Sequence, residues 1–342
     1  MTTDTPETIR DPLRGVRLRV LLGPTAVGKS ALALDVAERS GAEIVSLDSM
    51  LVYRGMDVGT AKPSVAERAR VRHHMIDLVE TDERYDVQRY LKDLAPVLDD
   101  ARERGVPIVF TGGTGFYLKI LVEGLFEGPD VDADLRESLM RRAHDEGNEA
   151  LHAELARVDP RSAARIHAND TKRVVRGLEV FLQTGRALSD WQTQWGTTDA
   201  SRGVATRRLV GLDAPVDELD RRIRLRARAM FDAGWADEAA AVRAGRGFGS
   251  TSIQALGYAD ALDVYDGRKS VEEAVDAVAR ATRQFARRQR TWYRKFHDIA
   301  WFPALPLVAS SRATEHGTER THDSAEHGML VASALRALDL VG

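Results

Sequence analysis

The 342-residue chain is predicted to be an α/β protein, in which helices flank a parallel sheet and an all-helical segment is inserted. Three observations support this fold class. Apolar strands alternate with amphipathic helices in the N-terminal third, as in parallel sheets with right-handed crossovers. The chain then becomes helical, with no strand-like run between Val131 and Thr198. After that segment, one more strand and three helices rejoin the first part.

Four segments have the composition of buried strands. Val16–Leu22 becomes fully apolar towards its end, as expected of a strand entering a parallel sheet. Glu43–Leu47 and Val106–Phe110 are short apolar runs that follow helix-ending glycines. Arg207–Leu212 is the strand expected to return to the sheet after the helical segment. Together they predict one parallel sheet.

Amphipathic patterns predict the helices between these strands. Ala31–Arg39 has leucines and a valine among alanines, and Ser40-Gly41 ends it. Tyr85–Arg104 has one apolar stripe and stops at a glycine. Three more helices follow the fourth strand, the last with a capping box at its start: Val216–Ala233, Trp235–Ala244 and Val271–Phe296.

These patterns divide the chain into four parts. We expect a disordered leader at 1–15, a catalytic core at 16–130 with 205–305, a helical insertion at 131–204, and a tail at 306–342. The tail contains an apolar helix at Leu330–Leu340 and three histidines. Since no carboxylate or helical spacing organises the histidines, we interpret them as solvated rather than metal-binding. They are His316, His322 and His327.

Composition excludes several functional classes. The chain has no cysteine, which excludes disulfide scaffolds, thiolate metal sites and cysteine nucleophiles. No apolar run could cross a bilayer, and the N-terminus lacks the pattern of a targeting peptide, so we expect a cytoplasmic protein. No heptad pattern is present, and we expect a monomer. The net charge of −3 does not itself indicate nucleic-acid binding.

The loop after the first strand matches G-x-x-x-x-G-K-[ST], and the flanking strand and helix are the context that this motif requires. Its backbone N–H groups and the following helix N-terminus are suited to a di- or triphosphate. The motif predicts a P-loop NTPase-like core with a lysine on the phosphates and a serine on Mg²⁺. The predicted diphosphate-binding residues are Gly23, Pro24, Thr25, Ala26, Val27, Gly28, Lys29 and Ser30.

Nucleotide hydrolysis would need a carboxylate at the end of another strand to hold Mg²⁺. The Val106–Phe110 strand is followed by Thr-Gly-Gly-Thr instead. Only Asp48 is placed at the carboxyl edge of the predicted sheet, where open α/β sheets bind ligands. The spacing leaves two roles open for Asp48, metal ligand or general base.

A basic stretch runs from Ala277 to His297 without an acidic residue. Its arginines, together with Trp292 and Tyr293, are suited to phosphate contacts and base stacking. A solvated helix face is the alternative interpretation, and Trp292 could equally belong to the core.

Seven ordered motifs resemble the tRNA dimethylallyltransferase family. They are spread over residues 17 to 302, and the absence of cysteine matches its bacterial form. The motifs are GPTAVGKS (23–30), DSMLVYRGMDVGTAKP (48–63), HHMID (73–77), GGTGFY (112–117), NDTKRVVR (169–176), QALGY (254–258) and RRQRTWYR (287–294).

The resemblance implies transfer of a dimethylallyl group from dimethylallyl diphosphate to N6 of the adenosine 3′ of the anticodon, in tRNAs reading codons that begin with U. Asp48 would be the general base, with Thr25 and Lys29 beside it, while the phosphate loop and Mg²⁺ hold the leaving diphosphate. Arg222 and Arg226, four residues apart on one helix face, would clamp that diphosphate. A solvated arginine face is the alternative for this pair.

The resemblance also implies contacts with tRNA, whose target base must leave its stack. We expect the helical insertion to grip the anticodon stem-loop. The residues expected near the tRNA are Asp48, Ser49, Met50, Leu51, Thr114, Arg136, Lys172, Arg173, Val174, Val175, Arg176, Arg287, Arg288, Arg290 and Arg294.

Three departures from the family pattern and three alternative functions remain. Lys172 stands where glutamine or proline-glutamine is common, and Ala259 stands where some members have arginine. Leu51 stands where many members of the family have glutamine, which puts a polar contact to the base region in doubt. An adenylate dimethylallyltransferase would use the same donor, but would need neither the insertion nor the arginine-rich helix. A small-molecule kinase would need ATP. A non-catalytic RNA-binding module would leave the phosphate loop and Asp48 unexplained.

Overall fold

The computed structural model describes residues 13–124, 129, 131–192, 204–305, 313–314, 317–318 and 324–341. Its internal contacts form two compact units, one of residues 1–118 with 203–342 and one of residues 119–202. The first, called the catalytic unit here, contains the sheet. The second, called the helical unit, begins earlier than the insertion predicted at 131–204.

The sheet of the catalytic unit has six parallel strands in the order β3-β2-β4-β1-β5-β6. The central strand, β1, pairs with β4 on one side and β5 on the other. Because all strands are parallel, their carboxyl ends and the loops that follow meet at one edge. The strands are β1 (Arg17–Leu22), β2 (Glu43–Leu47), β3 (His73–His74), β4 (Ile108–Gly112), β5 (Thr206–Asp213) and β6 (Ile299–Pro303), and a separate two-stranded pair is β7 (Ala313–Thr314) with β8 (Gly317–Thr318).

Helices account for the rest of the regular structure. Each long helix buries an apolar face, and the longest starts at the capping box of Ser270 and Glu273. A 3₁₀ turn covers Ser252–Gln254. The helices are α1 (Lys29–Ser40), α2 (Val65–Arg70), α3 (Val87–Glu103), α4 (Gly115–Glu123), α5 (Ala133–Asp145), α6 (Asn148–Val158), α7 (Pro160–Ala163), α8 (Thr171–Thr184), α9 (Leu188–Trp191), α10 (Val216–Asp232), α11 (Trp235–Ala244), α12 (Tyr258–Tyr265), α13 (Val271–Tyr293) and α14 (Ser324–Ala337).

The predicted parallel α/β sheet is confirmed, and the strands that the sequence missed lie at its edges. The two-residue strand β3 is too short to show a period. The strand β6 is half exposed, with the pattern of an edge strand rather than a buried one. Among the helices, α2 also escaped prediction, since it has no buried residue and is marked only by its capping box at Ser64 and Glu67.

Both ends of the described chain pack more tightly than the sequence predicts. The prediction of a disordered leader at 1–15 is wrong for its last residues. Leu13 is fully buried, and its carbonyl accepts a hydrogen bond from Val16 N–H at 2.9 Å. Residues 1–12 lie outside the described part. At the other end, Val331 and Leu335 of α14 join the core around α1.

One of the tail histidines forms a hydrogen bond to a side chain of α1. His327 Nε2 lies 2.8 Å from Asp35 Oδ2, so its interpretation as a solvated side chain is wrong. His316 and His322 lie outside the described residues. No helix in the part of the chain that the structure describes is long and apolar enough to cross a membrane.

The helical unit has its own core. Leucines and valines of α5, α6 and α8 form it, and all of its central members are almost completely shielded from solvent. These include Leu139, Leu151, Leu155, Val174, Val175 and Leu178.

Candidate active site

The phosphate loop joins β1 to α1 at the carboxyl edge of the sheet. Gly23 has φ +146°, and a Cβ there would lie 2.4 Å from the carbonyl oxygen of Leu212, so only glycine fits this approach to β5. Gly28 caps α1 with φ +106°, also in the region that favours glycine. The two glycines of the motif therefore shape the loop, as the sequence motif predicts.

Side chains from distant helices hold the backbone of this loop. Gln289 of α13 accepts a hydrogen bond from the Thr25 N–H at 2.8 Å, and the hydroxyl of Tyr293 donates to the Gly23 carbonyl at 3.1 Å. Arg222 of α10 donates to the Val27 carbonyl at 3.1 Å. Gln289 was missed as a functional residue, since its partner is 264 positions away in sequence. The interpretation of Tyr293 as a base-stacking residue is wrong, because its side chain is 1% exposed and supports the phosphate loop instead.

This arrangement corrects the role predicted for Arg222. Its side chain is 5% exposed, and its guanidinium also donates to Glu218 at 2.8 Å and to the Leu305 carbonyl. These hydrogen bonds occupy the guanidinium donors within the protein, so Arg222 supports the backbone of the phosphate loop rather than clamping a diphosphate. Arg226, one helical turn later, lines the cavity of the site.

Lys29 bends back onto its own loop, where Nζ donates to the Pro24 carbonyl at 2.9 Å. Burial and, to a smaller extent, the charge of Arg226 lower the pKa of this amine to about 7, while the charge of Asp48 opposes the shift. A bound diphosphate would favour the charged form by direct attraction. Lys29 therefore offers the phosphate loop an amine whose charged form a bound anion would stabilise.

Asp48 begins the loop that follows β2, called the acceptor loop here (residues 48–62). Its Oδ1 accepts a hydrogen bond from Met50 N–H at 2.8 Å, which fixes the carboxylate in a local turn. Burial is the largest influence on Asp48 and raises its pKa, against the lowering effects of the Met50 hydrogen bond and the charge of Lys29. Asp48 is consequently a stronger base than an exposed aspartate.

The far part of the acceptor loop is held by residues that the sequence did not mark as partners. Glu238 of α11 accepts hydrogen bonds from three consecutive backbone N–H groups of residues 57–59, at 2.6–3.0 Å. The ammonium of Lys62 is buried and lies 2.6 Å from carboxylate oxygens of both Asp57 and Asp77. These contacts hold the DVGTAKP segment, whose Gly59 and Thr60 line the cavity of the site, and join it to Asp77 of the HHMID segment.

Both loops open into one cavity of about 310 Å³. One wall is polar and includes Thr25, Asp48 and Thr114. The other wall comes from α10, α11 and α13 and is mostly apolar, with Arg226, Thr282 and Arg288 as its polar members. Its apolar members are Ile223, Ala227, Met230, Trp235, Val278 and Phe285. A ligand with a charged end and a hydrocarbon end matches this division.

The structure brings most of the predicted acceptor-side residues to this cavity. Ser49, Met50 and Thr114 line it together with Asp48, and Ser49 N–H donates to Thr114 Oγ1 at 3.2 Å. Leu51 follows directly in the loop and is half-buried. On the phosphate side, Ser30 is exposed at the first turn of α1.

The basic end of α13 separates into two sets of arginines. Arg287 and Arg294 are exposed, and Arg288 is exposed as well as lining the cavity. Arg290 instead donates to Asp213 Oδ1 at 2.6 Å and to the Ala214 carbonyl. Arg290 therefore connects α13 to the end of β5. Its role is structural, and its prediction as an RNA contact is wrong.

In the helical unit, the NDTKRVVR segment forms the start of α8. Val174 and Val175 are 1% exposed and belong to the core, so their prediction as RNA contacts is wrong. Lys172 and Arg173 are exposed. The other two arginines predicted to contact tRNA, Arg136 and Arg176, both form ion pairs with the buried carboxylate of Glu179. Their guanidinium nitrogens lie 2.5 Å and 2.9 Å from Glu179 Oε2, and the sequence did not indicate this partner.

Comparisons with known proteins agree with the resemblance found in the sequence. The model of the IPP transferase family matches residues 51–296. A tRNA dimethylallyltransferase of Syntrophobacter fumaroxidans is 44% identical over 324 residues, covering 93% of this chain and 94% of that protein. One from Geobacter sulfurreducens is 41% identical over 291 residues, covering 84% of this chain and 93% of that protein.

A solved structure has the same fold. The full-length tRNA isopentenylpyrophosphate transferase from Bacillus halodurans superposes with a TM-score of 0.62 at 32% sequence identity. The match covers 94% of this chain and 96% of that one. The likeness therefore includes both the sheet and the segment inserted into it.

Proposed function

This chain belongs to the IPP transferase family, and we propose that it transfers the dimethylallyl group of dimethylallyl diphosphate to N6 of the adenosine 3′ of the anticodon, in tRNAs reading codons that begin with U. One observation carries the proposal. Thr25 and Ala26 of the phosphate loop and Asp48 line a single cavity, which also has an apolar surface formed by residues of α10, α11 and α13. Such a cavity suits a prenyl diphosphate whose hydrocarbon end must meet a nitrogen nucleophile.

The reaction breaks the allylic C–O bond and forms a C–N bond. The electron pair of the C–O bond leaves with the diphosphate, and the N6 amine supplies the pair for the new bond and loses a proton. Asp48 is the proposed acceptor of that proton, since it lines the cavity and its pKa is raised by burial. Lys29 and the N–H groups of the phosphate loop stabilise the negative charge on the leaving group. Thr25 belongs to the phosphate loop and lines the same cavity as Asp48, so it lies near both the leaving group and the base.

The donor set at the phosphate loop is compatible with Mg²⁺. The described residues contain no group of three histidines and carboxylates that could hold a metal alone. Mg²⁺ usually keeps several waters and binds through substrate phosphates and few protein ligands. Ser30 is exposed at the start of α1, where its hydroxyl would serve as such a ligand. The bound ion would neutralise charge on the departing diphosphate.

The tRNA would be bound by exposed cations, of which Arg288 also lines the cavity, with its anticodon stem-loop held by the helical unit. Arg287, Arg288 and Arg294 in the catalytic unit and Lys172 and Arg173 in the helical unit are exposed. Phosphate contacts of this kind position an RNA, while the extracted base reaches the cavity. Because tRNA is the substrate, we propose that the protein acts in the cytoplasm.

The proposal is tested with radiolabelled dimethylallyl diphosphate and Mg²⁺, without ATP. Unmodified tRNA that reads UNN codons and AMP are offered in parallel reactions. We expect label in the tRNA alone. Label in AMP alone would identify a nucleotide prenyltransferase, and label in neither acceptor would refute prenyl transfer to adenine N6.

We predict that Asp48→Asn lowers kcat by about 10²-fold or more, which is the usual contribution of a general base. Affinity for tRNA should change little, because Asp48 contacts the base region rather than phosphates. Asp99→Asn is the matched control, since Asp99 is an exposed aspartate on α3. Single-turnover transfer and filter binding measure the two effects, and near-wild-type turnover of Asp48→Asn would contradict the assignment.

The pH profile gives the same test a second readout. A general base works as the carboxylate, so transfer must slow as the pH falls through the pKa of Asp48. Since burial raises that pKa, the acid limb of kcat should lie above the range of an ordinary aspartate. The limb should disappear from the residual activity of Asp48→Asn.

A further inference from the structure

The carboxamide of Gln289 lies between the phosphate loop and the loop after β4. Its Oε1 accepts a hydrogen bond from the Thr25 N–H at 2.8 Å, and its Nε2 donates to the Gly113 carbonyl at 2.8 Å. The side chain is 3% exposed. One partner is a donor and the other an acceptor, so only one orientation of the amide satisfies both.

Close packing reinforces this bridge. A Cβ at Gly113 would lie 2.2 Å from Nε2 of Gln289, so a side chain at this position would displace the amide from its present place. The carboxamide is thus enclosed between two backbone segments. A buried amide that loses either partner has an unsatisfied polar group, which is unfavourable.

The bridge continues to the acceptor loop. Thr114 follows Gly113, and its N–H donates to the Leu47 carbonyl at 3.1 Å. Its hydroxyl oxygen accepts from Ser49 N–H at 3.2 Å. Leu47 and Ser49 flank Asp48 on both sides. A continuous series of hydrogen bonds therefore connects Thr25, beside the leaving diphosphate, to the two neighbours of the proposed general base.

We propose that Gln289 is a positioning residue that sets the separation between the phosphate loop and the acceptor loop. The inference rests on the proposed prenyl transfer. In that reaction, the phosphate loop holds the leaving group and the acceptor loop holds the nucleophile and its base, with the reacting carbon between them. Misplacing reacting groups by about 1 Å can cost on the order of 10²-fold in rate.

The same helix provides a matched comparison. Tyr293, one turn after Gln289, also holds the phosphate loop, through the Gly23 carbonyl at 3.1 Å, and is likewise buried. Its hydrogen bond reaches one loop only. Tyr293→Phe therefore removes a support of the phosphate loop without releasing the acceptor loop, whereas Gln289→Ala releases both.

The experiment measures kcat, the KM of dimethylallyl diphosphate, tRNA affinity and thermal stability for wild type, Gln289→Ala, Gln289→Glu and Tyr293→Phe. We expect Gln289→Ala to lower kcat about 10²-fold at saturating substrates, with tRNA affinity unchanged within twofold. Tyr293→Phe should act mainly on KM and lower kcat less than threefold.

Gln289→Glu supplies a readout that general loss of structure would not produce. A carboxylate can accept from Thr25 but faces the Gly113 carbonyl without a hydrogen, while a protonated carboxyl group can donate to it. Activity of Gln289→Glu, divided by that of wild type at each pH, should therefore rise as the pH falls. Gln289→Ala should show no such rise.

Three outcomes would overturn the inference: a kcat of Gln289→Ala within threefold of wild type, equal losses of kcat in Gln289→Ala and Tyr293→Phe, or no pH-dependent recovery in Gln289→Glu. Failure of the wild type to prenylate tRNA would instead refute the proposed function. The wild-type reaction is therefore measured first, and the variants are compared only with an active parent.

Discussion

The start of α8 and the end of α13 carry the same kind of arginine pair, and the structure uses the two members of each pair differently. Arg173 and Arg287 are exposed, whereas Arg176 and Arg290, three residues later in each helix, are partly buried against the carboxylates of Glu179 and Asp213. A step of three residues turns the side chain by about 60° around the helix, enough to move it from solvent to an adjoining surface.

The difference between the two regions lies in the carboxylate. Arg176 and Arg136 share Glu179, whose side chain is fully buried in the helical unit. Arg290 binds Asp213, whose side chain is about half exposed at the end of β5. A buried carboxylate needs its cations, while a half-exposed one is also hydrated by water. The helical unit therefore depends on its arginines more than the catalytic unit depends on Arg290.

The largest effect should follow from removing both cations of Glu179. We predict that Arg136→Met with Arg176→Met lowers the free energy of unfolding by about 3–5 kcal/mol, because a buried charge is left uncompensated. Urea unfolding followed by circular dichroism measures the loss. Adding Glu179→Met should restore much of it, since the buried charge is then gone. A loss below about 1 kcal/mol would show that Glu179 does not need these partners.

An intermediate effect should separate Arg287 from Arg290 within one helix. We predict that Arg287→Gln weakens tRNA binding up to about tenfold and reduces the slope of log affinity against log salt by about 1, as loss of one phosphate contact does. Arg290→Gln should leave that slope unchanged and lower thermal stability instead. Filter binding across a salt series with thermal unfolding measures both, and equal slopes for the two variants would contradict the division.

The sequence predicted the framework of the catalytic unit well, because its signals are local. The phosphate loop depends on glycines and a lysine at fixed spacing, and Asp48 directly follows a buried strand. Each of these signals lies within a few residues of the feature it predicts. The parallel sheet and the segments on either side of the insertion could be found for the same reason.

What the sequence could not provide is the partner of each charged or amide side chain. Gln289 and Thr25 are 264 positions apart, and nothing near either residue indicates the other. The burial of Val174 and Val175 was likewise not apparent, since two valines beside basic residues fit both a core and a surface. Residue type and spacing predict which chemistry is available, whereas long-range packing decides which groups are left to use it.

The smallest effect should distinguish the two exposed cations at the start of α8. Arg173 lies 3.3 Å from Asp170, the residue that caps this helix, so part of its charge is already compensated. We predict that Lys172→Gln weakens tRNA binding about threefold at moderate salt, and that Arg173→Gln weakens it less, because a local carboxylate offsets the attraction of Arg173 for phosphates. Filter binding at two salt concentrations measures both variants against Arg141→Gln, an exposed arginine of the same unit paired with Glu137. If Arg173→Gln had the larger effect, the RNA would be displacing Asp170 from Arg173. An arginine paired with a carboxylate could then exchange that partner for RNA, and the exposed and the paired arginines would not be two separate sets.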